Sequence, residues 1–151
     1  RLVADITDVL SDHARLGLDT AVFIYHLEQN PRYCALTHAL LSGVEAGRWT
    51  ACTSVVTLME LTVRPLQLGQ PEVATRYEAA LAHFPNLSLV DVTRQVARQA
   101  AQLRAAFRLR PADALQAATA LVSGATLWIT NDRDLARLSP VLDVLLLEEL
   151  A

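Results

Sequence analysis

Four acidic residues stand where a parallel sheet flanked by helices would gather them at one point. They are Asp19, Glu60, Asp113 and Asp132. Two carboxylates about 4 Å apart repel each other by roughly 4 kcal/mol at an effective dielectric constant near 20, so a shared pocket requires bound protons or a cation. Carboxylate oxygens favour Mg²⁺ or Mn²⁺ over zinc or copper. Because such ions orient and acidify an attacking water, the set predicts hydrolysis of a phosphodiester.

The local sequence around each acid decides how it would reach that point. Asp19 and Asp132 each follow a short apolar segment that predicts a buried strand. Asp113 follows Pro111 at the start of an alanine-rich helix. Glu60 lies among apolar residues of a helix, so we expect it to be buried and to need a partner. Taken singly, Asp113 and Asp132 are also explained as acids that start and cap helices.

Helices and strands alternate along most of the predicted chain. We predict helices over residues 3–14, 20–29, 33–46, 54–65, 71–84, 93–108, 112–122 and 132–138, the second of them capped by Thr20. We predict strands over residues 15–19, 49–53, 87–92, 126–130 and 141–147. Apolar strands separated by helices predict an α/β fold whose parallel sheet is covered on two sides. Right-handed crossovers place each strand-to-helix turn at one edge of the sheet, where ligands bind.

The composition is typical of a compact globular protein, with 52% hydrophobic and 19% charged residues. No repeat, low-complexity tract or linker divides residues 1–151, so we expect a single domain with residues 1–14 as an extra N-terminal helix. The apolar runs are too short to cross a bilayer, and the start does not resemble a secretory signal. We interpret Cys34 and Cys52 as small buried residues in a reducing compartment and expect a cytoplasmic protein.

All thirteen basic residues are arginines, and the net charge is −3. The absence of lysine excludes a Walker phosphate loop, a Schiff-base lysine, a Ser–Lys dyad and a receiver-like phosphoacceptor site. Overall acidity argues against coating nucleic acid by bulk charge but leaves room for local arginine–phosphate contacts. Arg108 and Arg110, next to Asp113, are candidates for RNA contacts, although a solvated helix face is the simpler explanation. Asp134 is either a supporting acid of the site or part of a solvated face.

Four segments, in order, resemble the motifs of the PIN domain family. They are LDTAVFI at residues 18–24, SVVTLMEL at 54–61, DALQAATAL at 113–121 and ITND at 129–132. The third is the most specific, and the resemblance spans about residues 15–147. It implies a three-layer α/β/α sandwich with a mainly parallel, roughly five-stranded sheet, and Mg²⁺- or Mn²⁺-dependent ribonuclease activity. By the family pattern the four acids carry the metal, and Thr20 and Thr130 support the site with hydroxyl groups.

A compact chain of this size looks most like the VapC-type toxins of bacterial toxin–antitoxin pairs. That resemblance implies an RNA substrate, a small antitoxin partner that blocks the acidic cleft, and a homodimer. Two features depart from the family pattern. Ala21 replaces the usual asparagine, which removes a polar group near the site, and residues 1–14 precede the first strand. Ala21 supports an alternative function, a catalytically inactive protein-interaction module on the same scaffold.

Overall fold

The computed structural model describes residues 2–151, with side chains described from Ile6 onward. Along this part of the chain the elements are α1 (Leu2–Leu10), β1 (Arg15–Leu18), α2 (Thr20–Leu27), α3 (Cys34–Glu45), β2 (Thr50–Ser54), α4 (Val55–Gln67), α5 (Pro71–His83), β3 (Leu87–Val90), α6 (Arg94–Phe107), α7 (Pro111–Val122), β4 (Leu127–Thr130) and β5 (Asp143–Leu146). Short 3-10 helices cover Arg133–Leu138 and Leu147–Glu149.

The five strands form one parallel sheet in the order β3-β2-β1-β4-β5. β1 lies at the centre and pairs with β2 and β4, so the residues that follow β1 and β4 emerge side by side. The strands are short and largely apolar, as expected of a parallel sheet that is buried on both faces. The predicted α/β fold with a five-stranded parallel sheet is therefore confirmed.

Helices cover both faces of the sheet, and the described residues form three apolar clusters. One core joins the strands to α1 through α5 and contains Ile6, Val22, Leu36, Leu61 and Leu81. A second packs α6 and α7 with the first 3-10 helix, and a third joins Ala120 of α7 to Cys52 and Trp128 of the sheet. These helix–sheet–helix layers match the predicted α/β/α sandwich.

Small residues let α7 lie close to the sheet. The alanines of α7 between its first and last turns are buried. Gly17 of β1 faces them: a Cβ atom built there would stand 2.7 Å from Ala120 Cβ and 2.8 Å from Trp128 Cε3. Since real Cβ atoms do not approach other atoms this closely, only glycine fits between α7 and β4 at this point.

Several predicted boundaries shift by one or two residues, and two need a physical explanation. Asp19, not Thr20, caps α2, because the Asp19 carboxylate accepts the Thr20 backbone N–H at 2.8 Å. The fourth helix continues past Pro65 to Gln67. A proline this near a helix end removes one backbone hydrogen bond without stopping the last turn.

The predicted helix over residues 132–138 is a 3-10 helix that begins at Arg133. Arg108 does not continue α6 but ends it in the left-handed region, at φ 56°. A helix does precede the first strand: α1 ends at Leu10, four residues before the predicted end, and it buries Ile6 and Leu10 completely in the larger core.

None of the helices within residues 2–151 is long and apolar enough to cross a lipid bilayer. Both cysteines are free; Cys52 is buried as predicted, whereas Cys34 is only half-buried.

Candidate active site

Asp19 lies at the carboxyl end of the central strand, where β1 turns into α2. Its Oδ1 accepts the Thr20 backbone N–H at 2.8 Å, and its Oδ2 accepts the Thr130 hydroxyl at 2.6 Å. Thr130 ends the neighbouring strand β4, and its hydroxyl oxygen also accepts the Asp132 backbone N–H at 3.2 Å. Two strand ends are thereby tied together at the Asp19 carboxylate.

Glu60 reaches the same place from α4. Its Oε1 accepts the Thr20 hydroxyl at 2.8 Å and the Gln116 side-chain amide at 3.0 Å. The expectation that Glu60 is buried is wrong: the residue is exposed, and so is its neighbour Met59. The acid does have partners, but they are a hydroxyl and an amide rather than a cation.

Asp113 and Asp132 both contact the side chain of Arg110, which lies between them. Arg110 Nε donates to Asp113 Oδ2 at 3.0 Å, and Arg110 Nη2 lies 3.5 Å from Asp132 Oδ2. The Arg110 side chain is 78% exposed, whereas that of Asp113 is 23% exposed. These two carboxylates raise the pKa of the Arg110 guanidinium, chiefly because the guanidinium donates a hydrogen bond to Asp113. A cation therefore already bridges these two acids, and it stands on the solvent side of them.

An open cleft surrounds that arginine. Its charged lining comes from the turn between α6 and α7, from the first turn of α7 and from the 3-10 helix, namely Arg108, Arg110, Asp113, Asp132, Asp134 and Arg137. Asp134 is exposed and its backbone N–H donates to Asp132 Oδ1 at 3.0 Å. Arg104 Nε donates to the Leu109 carbonyl at 3.0 Å, which holds the turn that carries Arg108 and Arg110.

The electrostatics of Asp19 differ from those of an ordinary carboxylate. Burial, opposed by the hydrogen bonds from Thr130 and Thr20, raises the pKa of Asp19 from 3.8 to about 6. The nearby charges of Glu60 and Asp113 contribute smaller increases to the same shift. The three acids are thus close enough for their charges to interact, and the ionised form of Asp19 is disfavoured without a cation.

The oxygen ligands near Asp19 are of the kind that a hard divalent cation binds, but the acidic side chains are not arranged as a complete metal site. Asp19 and its acidic neighbours offer carboxylate oxygens, the ligand type that Mg²⁺ and Mn²⁺ prefer, and the Thr130 hydroxyl and the Thr20 backbone N–H hold the Asp19 oxygens in place. Within the part of the chain that the structure describes, however, no three His, Cys, Asp or Glu side chains form a ready ligand group. Arg110 occupies the space between Asp113 and Asp132, so a metal that used both would require this ion pair to open.

Sequence reasoning missed the polar residues that connect these acids. Gln116, Thr57 and Thr53 are buried and hydrogen-bonded to one another and to Thr20. One signal was present in the sequence: Gln116 interrupts an alanine run three residues after Asp113, on the same helix face.

Comparisons with known proteins agree with this fold. The family model "PIN domain" matches residues 17–139. No curated protein sequence matches the chain at a significant level.

Solved structures with the same fold come from bacterial complexes. A toxin–antitoxin complex from Klebsiella pneumoniae contains a chain that is 24% identical, with a TM-score of 0.63 over 88% of this chain and 97% of that one. VapBC2 from Rickettsia felis, bound to a promoter DNA fragment, is 18% identical with a TM-score of 0.69 over 87% and 97%. DNA-bound VapBC from Salmonella typhimurium is 23% identical with a TM-score of 0.65 over 88% and 97%. With the family model covering most of its length, this chain belongs to the PIN domain family.

Proposed function

We propose that this protein is a Mg²⁺- or Mn²⁺-dependent endoribonuclease that hydrolyses RNA phosphodiesters as the toxin of a toxin–antitoxin pair. One observation carries the proposal: Asp19 is a largely buried carboxylate that is repelled by the negative charges of Glu60 and Asp113. Its partners are hydroxyl and backbone donors, and no cationic side chain contacts it among the described residues. Such an arrangement is costly unless a cation compensates it, and the family resemblance supplies the reaction class.

In this proposal Asp19, Glu60, Asp113 and Asp132 hold the metal. When bound, the ion polarises the phosphate and lowers the pKa of an attacking water. Thr130 and the Thr20 backbone N–H hold the two oxygens of Asp19, and the Thr20 hydroxyl holds Glu60 Oε1. The fixed carboxylates limit the rearrangement that would otherwise accompany the reaction.

The arginines of the cleft are proposed to bind the RNA backbone. Arg108 and Arg110 project from a turn that Arg104 fixes, and Arg137 faces them from the 3-10 helix. Guanidinium groups bind phosphate oxygens in a forked geometry, and the cleft leads to Asp113 and therefore to the proposed reaction centre.

Cleavage of RNA by the purified protein tests the proposal directly. Single-stranded RNA should be cut in Mg²⁺ or Mn²⁺ and remain intact in EDTA. The variant Asp113→Asn keeps the shape of the side chain but loses its charge, so its cleavage rate should fall more than about 100-fold, since a metal ligand is lost. Wild-type activity in Asp113→Asn, or unchanged activity in EDTA, contradicts the assignment.

Removal of Arg110 should separate metal binding from RNA binding. The variant Arg110→Met frees Asp113 and Asp132 from their shared cation, so calorimetry should show tighter Mn²⁺ binding by a few-fold. The same variant loses a phosphate contact, so KM for RNA should rise about tenfold. Arg98→Met, which removes an exposed arginine of α6, is the matched control and should change neither value. Weaker Mn²⁺ binding in Arg110→Met would contradict competition between the guanidinium and the metal.

Two observations favour the alternative of a catalytically inactive interaction module. Arg110 already neutralises two of the acids, and Ala21 stands where the family usually has asparagine. A titration of the wild-type protein with Mn²⁺ separates the two functions. Saturable binding that is lost in Glu60→Gln supports the enzyme, whereas no binding at all supports the module.

An antitoxin partner and a homodimer are part of the same proposal. Three of the solved structures with this fold are toxin–antitoxin or VapBC complexes. In this chain an apolar groove between α2, α4 and α5 offers a surface for a partner, and its lining includes Phe23, Leu27, Tyr77 and Phe84. A short neighbouring gene that encodes a DNA-binding protein would support the antitoxin assignment.

A further inference from the structure

Gln116 is a buried polar residue in an otherwise alanine-rich stretch of α7. It is 2% exposed, and it lies one helical turn after Asp113, between neighbours that are almost all apolar. A buried primary amide costs free energy unless its hydrogen bonds are made. Its partners therefore explain why a glutamine rather than a leucine occupies this position.

Those partners are all polar groups around the site. Gln116 Nε2 lies 2.9 Å from Thr20 Oγ1, 3.1 Å from Thr57 Oγ1 and 3.0 Å from Glu60 Oε1. Thr57 Oγ1 in turn lies 2.8 Å from Thr53 Oγ1. One amide thus joins α2, α4 and α7 at the carboxyl end of the sheet.

The direction of these hydrogen bonds follows from the groups at the two ends. At one end the Leu18 carbonyl only accepts, so Thr53 donates its single hydroxyl proton to that carbonyl at 2.9 Å. Thr57 must then donate its single proton to Thr53 at 2.8 Å rather than to Gln116 Oε1 at 3.3 Å, and the Thr57 oxygen accepts from the Gln116 amide at 3.1 Å.

At the other end the Glu60 carboxylate accepts from Thr20. The Thr20 hydroxyl donates its single proton to Glu60 Oε1, so the Thr20 oxygen, like that of Thr57, accepts a hydrogen bond from the Gln116 amide. The two amide hydrogens of Gln116 are therefore shared among three acceptors, the hydroxyl oxygens of Thr20 and Thr57 and Glu60 Oε1. The Gln116 amide therefore donates both toward the Leu18 carbonyl, through Thr57 and Thr53, and toward the Glu60 carboxylate.

We propose that Gln116 is a positioning residue, whose amide fixes the Glu60 carboxylate both directly and through the Thr20 hydroxyl. For its catalytic consequence the inference rests on the proposed function. Glu60 is exposed, and a glutamate side chain in solvent samples many rotamers. Two hydrogen bonds to Oε1, from the Thr20 hydroxyl and the Gln116 amide, restrict the rotamers of the Glu60 side chain. Because the two oxygens belong to one carboxylate, the position of Oε2 is fixed as well, although Oε2 has no hydrogen-bond partner among the described residues.

Gln116→Met tests this inference, because methionine fills a similar volume without donors or acceptors. Thr119→Val is the matched control: Thr119 is equally buried on α7, but its hydroxyl donates only to the Leu115 carbonyl of its own helix. The first measurement is made without metal, on protein with ¹³C-labelled glutamate in EDTA. The Glu60 carboxyl resonance should move toward that of exposed glutamates in Gln116→Met and stay in place in Thr119→Val.

The second measurement compares metal binding and catalysis. Mn²⁺ affinity and kcat should each fall about tenfold or more in Gln116→Met, with KM for RNA unchanged, as for partners that orient metal ligands. Thr119→Val should match the wild type in both. Should Gln116→Met fail to fold, Thr20→Val takes its place, and Thr20→Ser should restore the Glu60 resonance.

The outcomes separate this inference from the proposed function. An unmoved Glu60 resonance in a folded Gln116→Met protein overturns the positioning role, whatever the activity. A moved resonance in a protein whose wild type binds no Mn²⁺ and cuts no RNA overturns the proposed function alone. A moved resonance with unchanged Mn²⁺ affinity and kcat overturns the catalytic consequence of the inference.

Discussion

Replacement of Asp19 by asparagine is expected to abolish RNA cleavage and, in the same protein, to stabilise the metal-free fold. The loss of activity should exceed about 100-fold, because Asp19 is the most central of the proposed metal ligands. The gain in stability follows from the pKa of Asp19, which burial raises to about 6. At neutral pH Asp19 is ionised although its buried surroundings favour the protonated form, and this destabilises the folded state.

The sign of the stability change depends on pH. In the unfolded chain Asp19 has its ordinary pKa, so the folded state holds the proton more tightly. As pH rises through 4 to 6 the unfolded state loses the proton first, and stability falls until both states are ionised. The interval from 3.8 to about 6 corresponds to at most about 3 kcal/mol. Asp19→Asn should therefore be more stable than the wild type at pH 7.5 and nearly equal to it at pH 4.

Urea unfolding in EDTA at these two pH values measures the effect. Asp143→Asn changes an exposed carboxylate at the opposite end of the sheet and is the control. Excess Mn²⁺ should stabilise the wild type at pH 7.5 but leave Asp19→Asn unchanged, because bound metal stabilises only a protein that binds it. Equal stabilities of Asp19→Asn and wild type at pH 7.5 would show that Asp19 is not strained by its surroundings.

The positions of Asp19, Asp113 and Asp132 were predictable because local signals identify them. Strand ends are marked by apolar runs and helix starts by proline or a capping residue, and the parallel sheet places all such ends at one edge. Thr130 was predictable as well, and it does contact Asp19. Their roles as metal ligands remain predictions.

The errors concern contacts that no local pattern specifies. Glu60 and Met59 lie among apolar residues, yet both are exposed, and the described part of the chain leaves Met59, Val63 and Leu66 of α4 uncovered. The partners of Gln116 are far from it in sequence; Thr20, for example, lies 96 positions earlier. Arg110 joins Asp113 to Asp132 only because α7 and the end of β4 come together in space. Helical spacing suggests which residues share a face, but only tertiary packing decides what that face meets.

The geometry of the site also depends on one glycine that carries no functional group. Gly17→Ala places a methyl group in the contact between β1, Ala120 of α7 and Trp128 of β4, so α7 must move away from the sheet. Overpacking of this kind costs about 1–3 kcal/mol in stability. Because α7 carries Asp113 and Gln116, we also expect the cleavage rate per folded molecule to fall more than about tenfold, since displacements near 1 Å are costly in catalysis.

Gly43→Ala distinguishes this effect from a general loss of stability. A Cβ atom at Gly43 would overlap the Trp49 ring, so that variant is also overpacked, but the contact lies between α3 and the residue before β2, away from the acids. Both variants should unfold at lower urea concentration than the wild type, and only Gly17→Ala should lose Mn²⁺ affinity and kcat. Equal losses of activity per folded molecule in both would mean that stability alone governs the site. A selective loss in Gly17→Ala would mean that the close approach of α7 to β1 determines where the carboxylates meet.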